Sequence, residues 1–270
     1  MNTPSKISIV IVGAGHMGSA LALGLKNSNL NISIIVIEPN PIRRASITAN
    51  GICTQESIPE LKNTKILLLA IPPQAFFSFT ENCEKIKNYS GLVISVMAGL
   101  TISTLKKATY TTQICRAMPN ISCAKLDGMT VLYYSKKTTN TNRALTNQLF
   151  SSLGKCLLLK KEYLIDSATA LVGRGPAYVA YFATSLLNFA TSNGFDKKSA
   201  SLITTQIIRG TTTLLAENKN SPLNICKLVM TAKGTTEQAI KYFDKNKLSN
   251  LVIEGLNKAC AQSKKIGEGR

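Results

Sequence analysis

Val12-Gly13-Ala14-Gly15-His16-Met17-Gly18 is the stretch on which the reading of this chain turns. It follows an apolar run, Ile7-Ser8-Ile9-Val10-Ile11-Val12, whose composition predicts a buried strand. It leads into Ser19-Ala20-Leu21-Ala22-Leu23-Gly24-Leu25, which predicts a helix packed on that strand. The spacing is G-x-G-x-x-G. In that arrangement Gly13 permits the tight strand-to-helix turn, Gly15 lets a pyrophosphate approach the backbone, and Gly18 lets helix and strand lie close. The phosphates would sit on free N–H groups at the positive end of the helix. A second apolar run, Ile32-Ser33-Ile34-Ile35-Val36-Ile37, ends at Glu38, twenty residues after Gly18. An acidic side chain there meets an adenosine ribose in dinucleotide-binding folds. The glycine spacing alone is weak, because glycine turns are common; the strand, helix and acidic residue around it make it a dinucleotide site.

Working outward, Lys65-Ile66-Leu67-Leu68-Leu69-Ala70-Ile71 predicts a central parallel strand, stopped by Pro72-Pro73. A helix is expected over 74–87, a strand over 91–96 ending in Met97-Ala98-Gly99, and a helix over 101–107. Strands follow over 113–116 and 128–134, then a helix over 141–153 ended by Gly154, and a last strand over 156–160. Alternation of this kind means a doubly wound sheet. From Asp166 the strand signals cease. Helices are expected over 177–193, with Gly194 as C-cap and Val179, Phe182, Leu186, Phe189 and Ala190 on one stripe. The next is capped by Asp196 and runs to about 217. Others begin at Ser221-Pro222 and at a Thr235/Gln238 capping box, and the last covers 249–266. The fold class is therefore α/β, a Rossmann domain over 1–163 followed by an all-α domain over 164–270 whose apolar stripes suit association between subunits.

Composition narrows the chemistry. With 44% hydrophobic residues over 270 positions the chain is globular, and no apolar run reaches the roughly 18–20 residues of a membrane span. The N-terminal residues lack a signal-peptide layout, so a cytoplasmic protein is expected. Seven cysteines, with no C-x-x-C pair, predict reduced thiols rather than a disulfide framework or a metal centre. His16 is the sole histidine, which excludes a Ser/His/Asp triad; it is expected to cap the phosphate loop. The net charge of +18 is spread in short pairs without interleaved stacking aromatics. This fits a lysine-rich enzyme surface that attracts anionic ligands better than a nucleic-acid interface.

Arg116-Ala117-Met118-Pro119-Asn120, Asp166-Ser167-Ala168-Thr169-Ala170, Gly175-Pro176-Ala177-Tyr178 and Lys233-Gly234-Thr235-Thr236-Glu237 occur in that order. With the glycine motif they resemble the pyrroline-5-carboxylate reductase family over essentially the whole chain. The resemblance implies hydride transfer from NADPH or NADH to the C=N carbon of 1-pyrroline-5-carboxylate, giving L-proline. It implies a homodimer through the helical domain, dimers that can form rings, and an active site between the cofactor crevice and helices of the dimer. Motif and resemblance together assign Val12, Gly13, Ala14, Gly15, His16, Met17, Gly18, Glu38, Ala70, Ile71, Pro72, Pro73, Met97 and Ala98 to the cofactor. Glu162, Val229, Gly234, Thr235 and Thr236 fall around the substrate, with Thr169 holding or relaying a proton at the ring nitrogen. Backbone N–H groups of Gly234, Thr235 and Thr236 would receive the substrate carboxylate. The same residues also have plain structural uses: threonines cap helices, Thr169 can be an ordinary buried hydroxyl, Asp166 can cap or anchor its helix, and Arg116 can be a structural or dimer-interface ion partner.

The chain departs from the family pattern at several points. Val172-Gly173-Arg174-Gly175-Pro176 stands where Ser-Gly-Ser-Gly-Pro is usual, and Thr231-Ala232-Lys233-Gly234-Thr235 where Ser-Pro-Gly-Gly-Thr is usual. Ala70-Ile71-Pro72-Pro73 replaces Ala-Val-Lys-Pro, and Ala259-Cys260 replaces an arginine-serine pair. Arg174 and Lys233 either add cationic grip or fill the pocket. The alternatives are therefore a diverged imino-acid or small-acid reductase, and a non-catalytic dinucleotide-binding protein. Glu38 favours NAD, with Arg43 and Arg44 partly offsetting it; the cofactor stays NADH or NADPH at this point.

Overall fold

The computed structural model describes residues 6–217 and 221–267. Its first unit is built on one eight-stranded sheet. The strands are β1 (Ile7–Val12), β2 (Ile32–Ile37), β3 (Cys53–Gln55), β4 (Ile66–Leu69), β5 (Leu92–Ser95), β6 (Ile114–Pro119), β7 (Gly128–Tyr134) and β8 (Gly154–Leu158), in spatial order β3-β2-β1-β4-β5-β6-β7-β8. Every neighbouring pair is parallel except β6 and β7. The order reverses at β1, which lies between β2 and β4, and such a reversal opens a crevice at the strands' carboxyl ends.

The uninterrupted apolar runs have a direct cause. Ile9 and Ile11 belong to one packed cluster with Leu21, Leu25 and Phe150; Val10 and Val12 belong to another with Leu67, Leu69, Phe76 and Ile86. Both faces of the sheet are covered, so both sets of alternating side chains are apolar. Each such Val, Leu or Ile contributes about 1.5–3 kcal/mol on leaving water.

Helices α1 (His16–Asn27), α2 (Pro41–Ala49), α3 (Phe76–Glu81), α4 (Glu84–Lys87), α5 (Ile102–Thr109) and α6 (Asn140–Ser151) connect the strands. The single helix expected over 74–87 is a 3-10 turn, Pro73–Ala75, followed by α3 and α4. Asn82 ends α3 by donating its Nδ2–H to the Ser78 carbonyl at 2.8 Å, which satisfies a last-turn acceptor and stops propagation. β3 is a strand that the sequence pattern does not predict, since it has only three residues, two of them exposed. Gly154 does not end a helix but opens β8, and the strand bounds shift accordingly to 66–69 and 154–158.

After α7 (Leu164–Ala168) the chain forms a π-helical turn, Thr169–Gly173. Ile165 and Ala168 pack with Met118 and Val131, which seats this segment against β6 and β7. The compact units therefore do not change over at 163/164. Among the described residues the first runs to Pro176 and resumes at Lys258, and the second is Ala177–Asn257. Asp166 contributes to that grouping as an anchor rather than a cap: it accepts from Ser263 Oγ at 3.2 Å.

The remaining helices are α8 (Gly175–Ser192), α9 (Lys197–Ala216), α10 (Pro222–Leu228), α11 (Thr235–Lys245) and α12 (Leu248–Gly267). Asp196 caps α9 by accepting from the N–H groups of Lys198 and Ser199, and Ser221 caps α10. The Thr235/Gln238 capping box does not form. Gly234 is the N-cap of α11, and Glu237 reaches back to accept from Lys233 N–H at 2.8 Å. On α8, Val179, Phe182 and Phe189 are exposed in the single chain. No described helix is long and apolar enough to cross a membrane.

A Cβ on Gly18 would stand 1.9 Å from the Gly13 carbonyl oxygen, a backbone atom that cannot yield without opening the turn. Gly18→Ala should therefore lower stability in urea unfolding by about 2 kcal/mol or more. An unchanged midpoint would contradict the close approach described here.

Candidate active site

The carboxyl ends of β1, β2, β4, β5 and β6 open into one cleft of about 940 Å³. Of the fourteen residues assigned to a cofactor, Val12, Gly13, Gly15, His16, Met17, Glu38, Ala70, Ile71, Pro72, Pro73, Met97 and Ala98 line it. Ala14 and Gly18 are not on its wall; they shape the turn beneath it. A second cleft, of about 690 Å³, lies at the amino ends of β4 and β5 around Lys62, Lys65 and Lys85 and contains none of these residues.

The floor of the main cleft is the glycine turn. Gly13 has φ +102°, left-handed backbone that favours glycine, and its N–H donates to Ile37 O at 2.8 Å. A Cβ there would meet Ala70 O at 2.7 Å, so the turn is pressed onto the end of β4. At Gly15, by contrast, no atom of the described residues beyond its chain neighbours lies within 4 Å of where a Cβ would be. The cradle above Gly15 is thus open while its neighbours are tight. α1 begins at His16 with no side-chain cap on its first turn, so His16 is a first-turn residue and not the expected cap. Uncapped N–H groups facing an open cradle suit a pyrophosphate.

Glu38 is the other fixed point. Its Oε2 accepts from Ala14 N–H at 2.9 Å and its Oε1 from Asn40 N–H at 3.0 Å, in a residue only 4% exposed. Arg43 Nη1 stands 3.7 Å from Oε2. Open cradle, helix N-terminus and buried acid therefore meet at one end of the cleft within a single chain.

At the far end of the same cleft are Met118, Pro119, Thr169, Gly173 and Arg174. Thr169 opens the π turn, a local widening of the helical ladder frequent at functional sites. Its Oγ1 donates to Ile165 O at 2.8 Å. With the hydroxyl proton so committed, the oxygen's lone pairs remain to accept a proton-bearing nitrogen. Arg174 makes no hydrogen bond or ion pair with any described residue and stands in the cleft wall. Met118 and Pro119 were not assigned to the site from the sequence, although they end β6 and the carboxyl-end rule applies to them as it does to Ala70.

Glu162 is elsewhere. Its Oε1 accepts from Arg116 Nη1 at 3.0 Å and from Ile102 N–H at 2.6 Å, and it does not line the cleft. Arg116 is buried, its Nε and Nη2 have no hydrogen-bond partner among the described residues, and Glu162 is the carboxylate paired with it. In the second unit, Gly234 N–H donates to Thr231 O at 2.9 Å, which removes it from the donors expected for a carboxylate and leaves those of Thr235 and Thr236. Val229 follows α10 and is exposed. Lys233 has φ +60°, a left-handed conformation in a side-chain-bearing residue where the family pattern has glycine. Bonds from the Lys241 side chain and from Lys233 N–H hold the Glu237 carboxyl below the usual carboxylate range.

The described cysteines are all free. Burial pushes the Cys123 thiol up to about 11 and raises that of Cys115, so both remain protonated. No group of three or more His, Cys, Asp or Glu side chains comes together among the described residues. Removing the Glu162 carboxylate would strand a buried guanidinium. Glu162→Ala should cost about 2 kcal/mol or more in urea unfolding; a variant as stable as the parent would contradict the pairing.

Residues 162–266 match the family model described as pyrroline-5-carboxylate reductase dimerisation, and residues 8–99 match the model described as NADP oxidoreductase, coenzyme F420-dependent. The pyrroline-5-carboxylate reductase of Aquifex aeolicus is 30% identical over 258 residues, 95% of this chain and 96% of that one. The enzyme of Vibrio alginolyticus is 28% identical, covering 96% and 97%. The Plasmodium falciparum pyrroline carboxylate reductase, solved with NADP bound, superposes with a TM-score of 0.87 at 26% identity, over 97% of this chain and 98% of that one. Identity at the Aquifex level, sustained along nearly the full length of both chains, makes this protein a member of the pyrroline-5-carboxylate reductase family.

Proposed function

We propose that the protein is an NAD(P)H-dependent pyrroline-5-carboxylate reductase that forms L-proline from 1-pyrroline-5-carboxylate. One observation carries this reading: a single cleft joins an open, uncapped glycine cradle at one end to the Thr169 hydroxyl at the other. A reduced nicotinamide bound there supplies the hydride.

The chain's own groups do the rest. The N–H groups of the first turn of α1 hold the pyrophosphate, and Glu38 holds the adenosine ribose. Apolar walls from Ile71, Pro72, Met97 and Met118 exclude water from the transfer. Thr169 accepts from the protonated ring nitrogen and keeps its proton in place. As the hydride adds to the ring carbon, the electron pair of the C=N bond passes to that nitrogen, and the product is a neutralised amine on which Thr169 still bonds. No covalent nucleophile is required, so orientation and charge complementarity supply the catalysis.

The substrate carboxylate is assigned, on the family resemblance, to the Thr235 and Thr236 N–H groups that open α11, with Gly234 as their N-cap and Val229 and Glu162 as further substrate residues. Glu162 acts there through Arg116 and Ile102 rather than by direct reach into the cleft. The sheet unit, which runs to Pro176, serves the dinucleotide, and the helices of the second unit, Ala177–Asn257, serve the dimer. The exposed apolar stripe of α8 supports a homodimer, and the reading extends to a ring of dimers in the cytoplasm. A pocket plugged by Arg174, which would argue for a non-catalytic protein, is disfavoured because the cleft keeps about 940 Å³ with that side chain in its wall.

The test is loss of nicotinamide absorbance with proline formed when purified protein meets pyrroline-5-carboxylate and either reduced dinucleotide. No proline with either would refute the reading. Thr169→Val should lower kcat by about 10–100-fold with KM little changed; an unaltered kcat would reduce Thr169 to a buried hydroxyl.

A further inference from the structure

The adenosine end of the cleft discriminates. We propose that Glu38, held in place by the backbone, makes this enzyme select NADH over NADPH; the inference rests on the cleft being a dinucleotide site.

Each oxygen of the carboxylate has one backbone bond, Oε2 from Ala14 N–H at 2.9 Å and Oε1 from Asn40 N–H at 3.0 Å. Swinging the side chain away to admit a phosphate would leave the Ala14 N–H without its acceptor inside the glycine turn, where an unmet donor is costly. The side chain is 5% exposed, so solvent screens it weakly. A carboxylate has about four acceptor positions. Two are used, and the others can accept from the two hydroxyls of an unphosphorylated ribose. A 2′-phosphate brings only acceptor oxygens and further negative charge to the same place.

The cations nearby do not reverse this. Arg44 is committed: its Nη1 donates to Glu38 O at 2.8 Å and Pro39 O at 2.7 Å, and its Nη2 to Glu56 Oε2 at 3.3 Å. Arg43 lines the cleft but its side chain is 59% exposed, and it already faces Glu38 at 3.7 Å. An exposed cation of this kind changes affinity by less than about tenfold. No described lysine lines this cleft. The Plasmodium falciparum neighbour holds NADP; the residues that argue for NADH are this chain's own.

Binding is measured directly by titrating the protein into NADH and into NADPH and following nicotinamide fluorescence, with ADP-ribose and its 2′-phosphate as competitors. NADH should bind tighter by about tenfold or more, and ADP-ribose should compete better than its 2′-phosphate by a similar factor. Glu38→Ser, checked for folding by circular dichroism, should move the NADH:NADPH affinity ratio toward NADPH by about tenfold or more, and adding Arg43→Ala should remove part of that gain. NADPH bound as tightly as NADH by the parent protein, or a folded Glu38→Ser with the parent's ratio, overturns the inference and leaves the reductase reading intact. Binding of neither dinucleotide overturns both. Should Glu38→Ser fail to fold, the comparison on the parent protein decides.

Discussion

The approach of α1 to the ends of β1 and β4 governs the rest of this molecule. The helix can lie there only because Gly18 has no side chain to strike the Gly13 carbonyl and Gly13 none to strike Ala70. Contact at that range aims the first, uncapped turn of α1 over Gly15, where space is open. It also brings Ala14 N–H to the Glu38 carboxylate, so a residue at the end of β2 closes the turn that follows β1. Sheet order, helix dipole and a buried acid thus converge on one point.

The other end of the cleft depends on a different device. Arg116 is carried inside β6, its partner Glu162 sits just before α7, and the same carboxylate oxygen receives the first N–H of α5. A charge at this depth is stable only while paired, so β6, α5 and the approach to α7 are tied together. The apolar packing of Ile165 and Ala168 on Met118 and Val131 then presents the π turn that begins with Thr169. Glu162 is thus engaged away from the cleft, while Thr169 lines it.

Much of the frame is legible in the residues themselves. Ile9 and Ile11 face one packed layer and Val10 and Val12 the other, and a run that is apolar on both sides announces a covered parallel strand. The glycine spacing with Glu38 beyond it located most of the cleft, since those residues act through backbone shape and local charge. What stayed hidden needs long-range or local polar information. β3 offers only Cys53-Thr54-Gln55, too short for a period. Asn82 breaks a helix by a side-chain bond to Ser78, which apolar spacing does not register. Glu162 and Arg116 are 46 residues apart, and only the fold shows that the carboxylate is already engaged. At α11 the threonines looked like caps, yet Gly234 takes that position and Glu237 reaches Lys233 instead.

If the open space over Gly15 receives the pyrophosphate of a reduced dinucleotide, that glycine is needed for binding and not for the fold. Because a Cβ at Gly15 meets no described residue within 4 Å beyond its chain neighbours, Gly15→Ala should leave the fold undisturbed and change only what the cradle can admit. Fluorescence titration of NADH with parent and variant, beside their thermal melting curves, tests this directly. The account predicts equal melting temperatures and a dissociation constant at least about tenfold weaker for Gly15→Ala, the loss of roughly one close phosphate contact. A variant that melts like the parent and binds NADH equally well would contradict it.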